Sequence, residues 1–164
     1  MIGKAMQDAM NEQINREVFS SYLYLSMAAY FEGKNLSGFG HWMRLQAEEE
    51  REHAMKFYDF LLERGGKVTL KAIAAPKTDW ASNLEAFQEA ADHEAKITAS
   101  IHALYDLAMQ EKDYPAQVML QWFVTEQVEE EKNAGEIVAS LQLIEERGTA
   151  VLMLDHRLAK RGGE

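Results

Sequence analysis

At 164 residues, 47% of them hydrophobic, the chain is long enough to bury one real core and too short for two full domains, so residues 1–164 are read as one domain. A formal net charge of -10 excludes the clustered basic face of a nucleic-acid binder and favours cations as ligands. The lack of cysteine excludes disulfides and thiolate-held metal sites. With no leader-like apolar stretch at the N-terminus and no run near the roughly 18 to 20 apolar residues that span a bilayer, a soluble cytoplasmic protein without membrane contact is expected.

Two prolines and abundant Ala, Leu, Glu, Gln, Met and Lys favour an all-α fold. The first predicted helix covers about residues 4 to 32, with Met10, Ile14, Glu17, Ser21, Tyr24, Ala28 and Phe31 on one side. The second, about 37 to 64, follows Ser37 as candidate N-cap, carries the stripe Met43, Ala47, Glu50, Ala54, Phe57 and Leu61, and stops at Gly65 and Gly66. Residues 65–82 contain Pro76 and little periodicity. At about 3.3 Å per extended residue they are long enough to travel a helix length and join two parallel helices.

The third predicted helix, about 83 to 111, has the stripe Leu84, Phe87, Ala91, Glu94, Thr98, Ile101, Tyr105 and Ala108. The fourth, about 115 to 146, opens near Pro115, carries Met119, Phe123, Gln127, Glu130, Ala134, Ile137, Leu141 and Ile144, and closes at Gly148. A short fifth helix runs from about 149 to 160. The economical architecture is a four-helix bundle over about 4 to 146, with one long crossover and a short C-terminal helix.

The stripes hold ionisable groups at mid-length, and the second pair repeats the first. An offset of 77 residues carries Glu17, Glu50 and His53 onto Glu94, Gln127 and Glu130. The midpoint of Glu17 and Glu50 is position 33.5, inside the first turn, and that of Glu94 and Glu130 is 112, inside the third connection. Residues equidistant from a turn share a level in an antiparallel pair, so each hairpin brings its acids face to face. With a crossover the two pairs coincide, since Glu50 lies about 13 residues into its helix and Glu94 about 11 into its own. Five side-chain ligands and Gln127 then converge in mid-bundle. Unpartnered buried carboxylates cost several kcal/mol each or take up a proton, so the cluster implies a cation. A buried salt-bridge network is the bland alternative, but Arg16, Arg51, Lys96 and Lys132 fall outside the stripes. Glu50-x-x-His53 places a carboxylate and an imidazole one turn apart on one face, and carboxylates with one imidazole suit iron or manganese better than structural zinc.

Glu17, Tyr24, Glu49-Glu50-x-x-His53, Glu94, the turn Glu111 to Pro115 and the run Gln121 to Glu131 closely resemble prokaryotic non-haem ferritin along essentially the whole chain. The ferritin-like di-iron pattern has Glu-x-x-His in two helices. Here the second copy is Gln127-x-x-Glu130. That departure separates the chain from bacterioferritin, and Glu52 stands where bacterioferritin offers a haem-ligating methionine, so no haem is expected. Rubrerythrin would need cysteines.

The resemblance implies that Glu17, Glu50 and His53 hold a first iron, with Glu50 bridging to a second held by Glu94 and Glu130 beside Gln127. It implies a ferroxidase that oxidises Fe(II) with dioxygen or peroxide through a bridged di-ferric species and releases ferric oxyhydroxide into a hollow homo-oligomer of twenty-four subunits. Glu49, Glu126 and Glu129 match the family's third iron site, the alternative being a solvated acidic helix face. Tyr24 either hydrogen-bonds a bridging carboxylate or donates an electron, or is a core tyrosine with a satisfied hydroxyl. Trp122 is read as packing. Two other readings are a DNA-protecting mini-ferritin, whose iron site would straddle subunits, and a metal-free helical interaction module.

Overall fold

A computed structural model describes residues 1–163. Five helices follow in order: α1 (Lys4–Gly33), α2 (Ser37–Glu63), α3 (Asn83–Gln110), α4 (Tyr114–Ile144) and α5 (Gly148–Leu158). No described residue is in a β-strand, and no helix is long and apolar enough to cross a membrane.

α1 and α2 form one antiparallel hairpin and α3 and α4 the other. The crossover 64–82 contains no helix and lies along α1. Asn11 donates to the Lys67 carbonyl (2.9 Å) and accepts from Thr69 N–H (2.7 Å), Ser26 donates to the Lys77 carbonyl (2.7 Å), and Tyr30 donates to the Trp80 carbonyl (2.9 Å). The segment thus climbs beside α1 from its first third to its end. α3 therefore starts at the level where α2 started, and the two run parallel as expected.

The helix ends are held by particular side chains. Ser82 caps α3 by accepting Glu85 N–H (3.0 Å). Asp113 caps α4 by accepting Ala116 N–H (3.1 Å) while gripped by both guanidinium nitrogens of Arg64 (2.9 and 3.2 Å). Ser37, the expected cap of α2, is instead its first helical residue, and the preceding Leu36 has no capping group. The missing acceptor comes from α5, where Asp155 Oδ1 accepts Phe39 N–H at 2.8 Å. α4 ends at Ile144, and the chain turns through Glu145 (φ 49°) and Glu146 (φ 56°) before Gly148, which opens α5. The unusual backbone of Glu146 is offset by its carboxylate, which accepts from Asn83 Nδ2 (2.6 Å) and Leu84 N–H (3.0 Å) at the start of α3.

Two apolar clusters fill the bundle. One packs Phe31, Phe39 and Phe87 at ring separations of 5.2 to 5.4 Å, and the other stacks Phe57 on Phe123 at 4.2 Å. Between them lies a layer of buried polar side chains that includes Glu17, Glu50, His53, Glu94, Gln127 and Glu130.

Candidate metal centre

Glu17 comes from the middle of α1, Glu50 and His53 from α2, Glu94 from α3, and Gln127 and Glu130 from α4. All six side chains are buried, each at most 4% exposed, so none has water to replace a missing partner. One ligand atom each from Glu17, Glu50 and His53 lie within 4.8 Å of one another, and so do atoms from Glu50, Glu94 and Glu130. Glu50 belongs to both groups, which makes it the residue able to bridge two ions.

Three buried atoms in the first group, Glu17 Oε2, Glu50 Oε2 and His53 Nδ1, have no hydrogen-bond partner. His53 Nδ1 lies 3.6 Å from Glu50 Oε2. Unpaired buried polar atoms are costly, and two carboxylate oxygens with an imidazole nitrogen are the donor set a divalent cation accepts. The residues present therefore fit metal ligation.

Electrostatics agree. Burial first, then the neighbouring Glu50 charge, pushes the Glu17 and Glu94 carboxyls well above the ordinary carboxylate range. The same two causes raise Glu130 to about 7. For His53 burial works downward, but its contact with Glu50 and the surrounding carboxylates prevail and raise it. The layer is acid-rich and short of positive charge, and a cation relieves it.

Hydrogen bonds orient all four carboxylates. Gln13 Nε2 donates to Glu17 Oε1 (2.7 Å). Gln46 Nε2 donates to both Glu50 Oε1 (3.1 Å) and Glu130 Oε2 (2.8 Å). Gln127 Nε2 donates to Glu94 Oε2 (3.2 Å) and to Thr98 Oγ1 (3.2 Å). The Tyr24 hydroxyl donates to Glu94 Oε1. Tyr24 is therefore buried with its hydroxyl satisfied by a ligand of the second group, not by bridging Glu50. Gln13 and Gln46 were not singled out in the sequence. The available signal was their position four residues before Glu17 and Glu50, one turn away on the same face.

The outer acids divide differently from expectation. Glu126 is half-buried and groups with His53 and Glu130 within 4.8 Å, its Oε1 being 4.0 Å from His53 Nε2. Glu49 is paired with Arg161 at 2.5 Å, and Glu129 is exposed, so these three do not form a cluster of their own. Trp122 is partly exposed and lies edge-on to His53 at 5.4 Å, so it flanks the site and is not core packing.

Known proteins match this arrangement along its length. A family model described as a ferritin-like domain matches residues 7–144. The bacterial non-heme ferritin of Bacteroides fragilis (strain 638R) is 41% identical, covering 98% of this chain and all of that protein. That of Staphylococcus aureus (strain USA300) is 35% identical, covering 98% of this chain and 97% of that protein. Among solved structures, an open pore ferritin from the hyperthermophilic archaeon Archaeoglobus fulgidus superposes with a TM-score of 0.97 at 50% identity, covering 98% of this chain and 99% of that one. A closed form of the same ferritin, engineered by site-directed mutagenesis, gives 0.96 at 50% identity, covering 98% of each chain. The chain belongs to the ferritin family, among the prokaryotic non-haem ferritins its motifs resemble, and iron storage is the role that family and fold support.

Proposed function

We propose that the chain is a ferroxidase subunit that oxidises Fe(II) at a dinuclear centre inside its own bundle and passes ferric iron to a mineral held within a cytoplasmic shell of twenty-four copies. The observation that carries this reading is the convergence of three unpartnered buried atoms, on Glu17, Glu50 and His53, with Glu50 shared by a second carboxylate group. A metal-free packing module would have no use for such atoms. A DNA-protecting mini-ferritin is disfavoured because the ligand set is complete within one chain and the net charge is -10.

Iron is the substrate. Glu17, Glu50 and His53 hold the first ion and Glu50, Glu94 and Glu130 the second, with Gln127 and Tyr24 orienting Glu94. Two Fe(II) ions give up one electron each, which takes dioxygen to hydrogen peroxide with two protons, or hydrogen peroxide to two waters with two protons. The carboxyls of Glu17, Glu94 and Glu130, raised by burial and by the Glu50 charge, hold protons more readily than ordinary carboxylates, and iron displaces those they carry. Hard carboxylate oxygens stabilise the ferric product more than the ferrous substrate. Glu126, with Glu49 and Glu129 at the rim, provides an outer position for a third ion between the centre and the mineral.

Stopped-flow absorbance of the ferric product tests the assignment. Glu50→Ala and His53→Ala are expected to lose rapid oxidation, by about a hundredfold or more for a lost ligand, while assembling to the wild-type particle mass. Wild-type rates in both variants would remove these residues from the mechanism, and a particle that gains no iron in air would remove the storage role.

A further inference from the structure

The segment beyond α5 folds back along α2 toward the metal centre. The Arg161 guanidinium donates to Glu49 Oε2 at 2.5 Å and to the Trp42 carbonyl at 3.2 Å, and it lies 4.4 Å over the Trp42 ring. The Arg161 carbonyl oxygen is 2.9 Å from His41 Nε2. Gly162 then turns the chain with φ +73°, where a Cβ would lie 3.1 Å from Leu45 Cδ1. The Arg161 side chain is only 20% exposed and that of Glu49 is 44% exposed, so the guanidinium is seated by its Trp42 contacts while the carboxylate keeps an open side.

Its acidic partner is the residue before bridging Glu50. The Glu49 carboxyl feels the charges of His53, Glu50 and Glu126 as well as that of Arg161. Among the described residues, no lysine or arginine is in ion-pair contact with Glu126 or Glu129, so Arg161 is the one such cation on this rim.

We propose that Arg161 is a tethered cation that holds Glu49 away from the outer metal position, so that a resting subunit takes two metal ions and engages a third only when Arg161 releases Glu49. This rests on the ferroxidase reading. Arg161 acts as a positioning residue for Glu49. A guanidinium stays charged at any working pH and grips a carboxylate with fixed geometry. Because α5 tethers it to the bundle, it competes with free metal ions at high effective concentration. The ions that displace it are hard divalent or trivalent cations, whose higher charge outweighs one guanidinium on a rim of several carboxylates.

Co(II) binding to the assembled protein under nitrogen tests this without turnover, the count coming from equilibrium dialysis and the coordination from visible absorption. Wild type is expected to bind two ions per subunit tightly. Arg161→Gln is expected to bind a third about tenfold more tightly than wild type does, the equivalent of one charge-assisted contact. Adding Glu49→Gln to that variant should remove the gain. A third ion bound equally by wild type and Arg161→Gln, or a gain that survives Glu49→Gln, overturns the proposal. Should Arg161→Gln fail to assemble on size exclusion, Arg161→Lys keeps the charge without the fork and should tighten the third ion several-fold, and unchanged affinity overturns the proposal. Failure of wild type to take two ions would instead overturn the ferroxidase reading.

Discussion

At the scale of single residues, the centre depends on side chains that never touch a metal. Gln46 spans two ligands, steadying Glu50 and Glu130 with one amide nitrogen. Replacing it with leucine keeps the volume and removes both bonds. Outer hydrogen-bond partners of this sort are worth about 10- to 100-fold in metal affinity or rate. We expect Gln46→Leu to slow Fe(II) oxidation by about that factor while the particle still assembles, read by stopped-flow beside size exclusion. An unchanged rate would mean that Glu50 and Glu130 are oriented by packing alone. The convergence of Glu17, Glu50, His53, Glu94, Gln127 and Glu130 was legible in the sequence because they interrupt apolar stripes at matching heights. Gln13 and Gln46 were not, since their one signal, a place one turn before Glu17 and Glu50, does not by itself separate a buried donor from a surface one. The Arg161 contact with Glu49 spans 112 positions and was equally hidden.

At the scale of elements, the periodicity that located the helices also gave their order, because only the 64–82 segment lacks a helical pattern and is long enough to return the chain. The ends were less legible. The cap of α2 arrives from α5, a contact that no local rule around Ser37 can anticipate, and the chain leaves α4 through two left-handed glutamates, of which Glu146 is held by bonds to the start of α3. The sequence marks a fifth helix without fixing its seat, and the structure places it against the start of α2. Gly38 is what permits that approach: a Cβ there would fall 1.8 Å from the Asp155 carbonyl oxygen. Gly38→Ala should therefore push α5 off, at a cost of about 1 to 3 kcal/mol. Hydrogen exchange of the 148–158 amides is expected to accelerate by about tenfold or more while α1 and α3 keep their protection. Unchanged protection in α5 would show that its seat tolerates the methyl group by a small shift.

For the whole molecule, the acid layer couples stability to pH. Glu17, Glu94 and Glu130 hold their protons more tightly in the metal-free fold than in the unfolded chain, through burial first and the Glu50 charge second. Such groups contribute stability that is fully present below the unfolded pKa, about 4.3 for glutamate, and is lost as pH rises through the folded value. For Glu130 that window runs up to about 7. His53, raised by its carboxylate neighbours against the effect of burial, acts in the same sense at higher pH. Half-buried His93, whose pKa is lowered by desolvation, opposes this only below about 6.5. Metal-free protein should therefore melt several degrees higher at pH 6 than at pH 8, and Glu130→Gln should flatten the difference. Scanning calorimetry on chelator-dialysed protein reads both, and an identical slope in the variant would place the pH dependence elsewhere. Added Co(II) should raise the melting temperature more at pH 8, where the ligands bind metal without first losing protons.

The two glutamine braces also break the symmetry of the duplicated hairpins. The 77-residue offset carries Gln13 onto Ala90 and Gln46 onto Phe123, neither of which can donate a hydrogen bond to a ligand. Glu17 and Glu50 accept from Gln13 and Gln46, whereas Glu94 and Glu130 accept from Gln127, Tyr24 and the shared end of Gln46. The duplication therefore preserves the height of the acids along the bundle and not the chemistry that braces them.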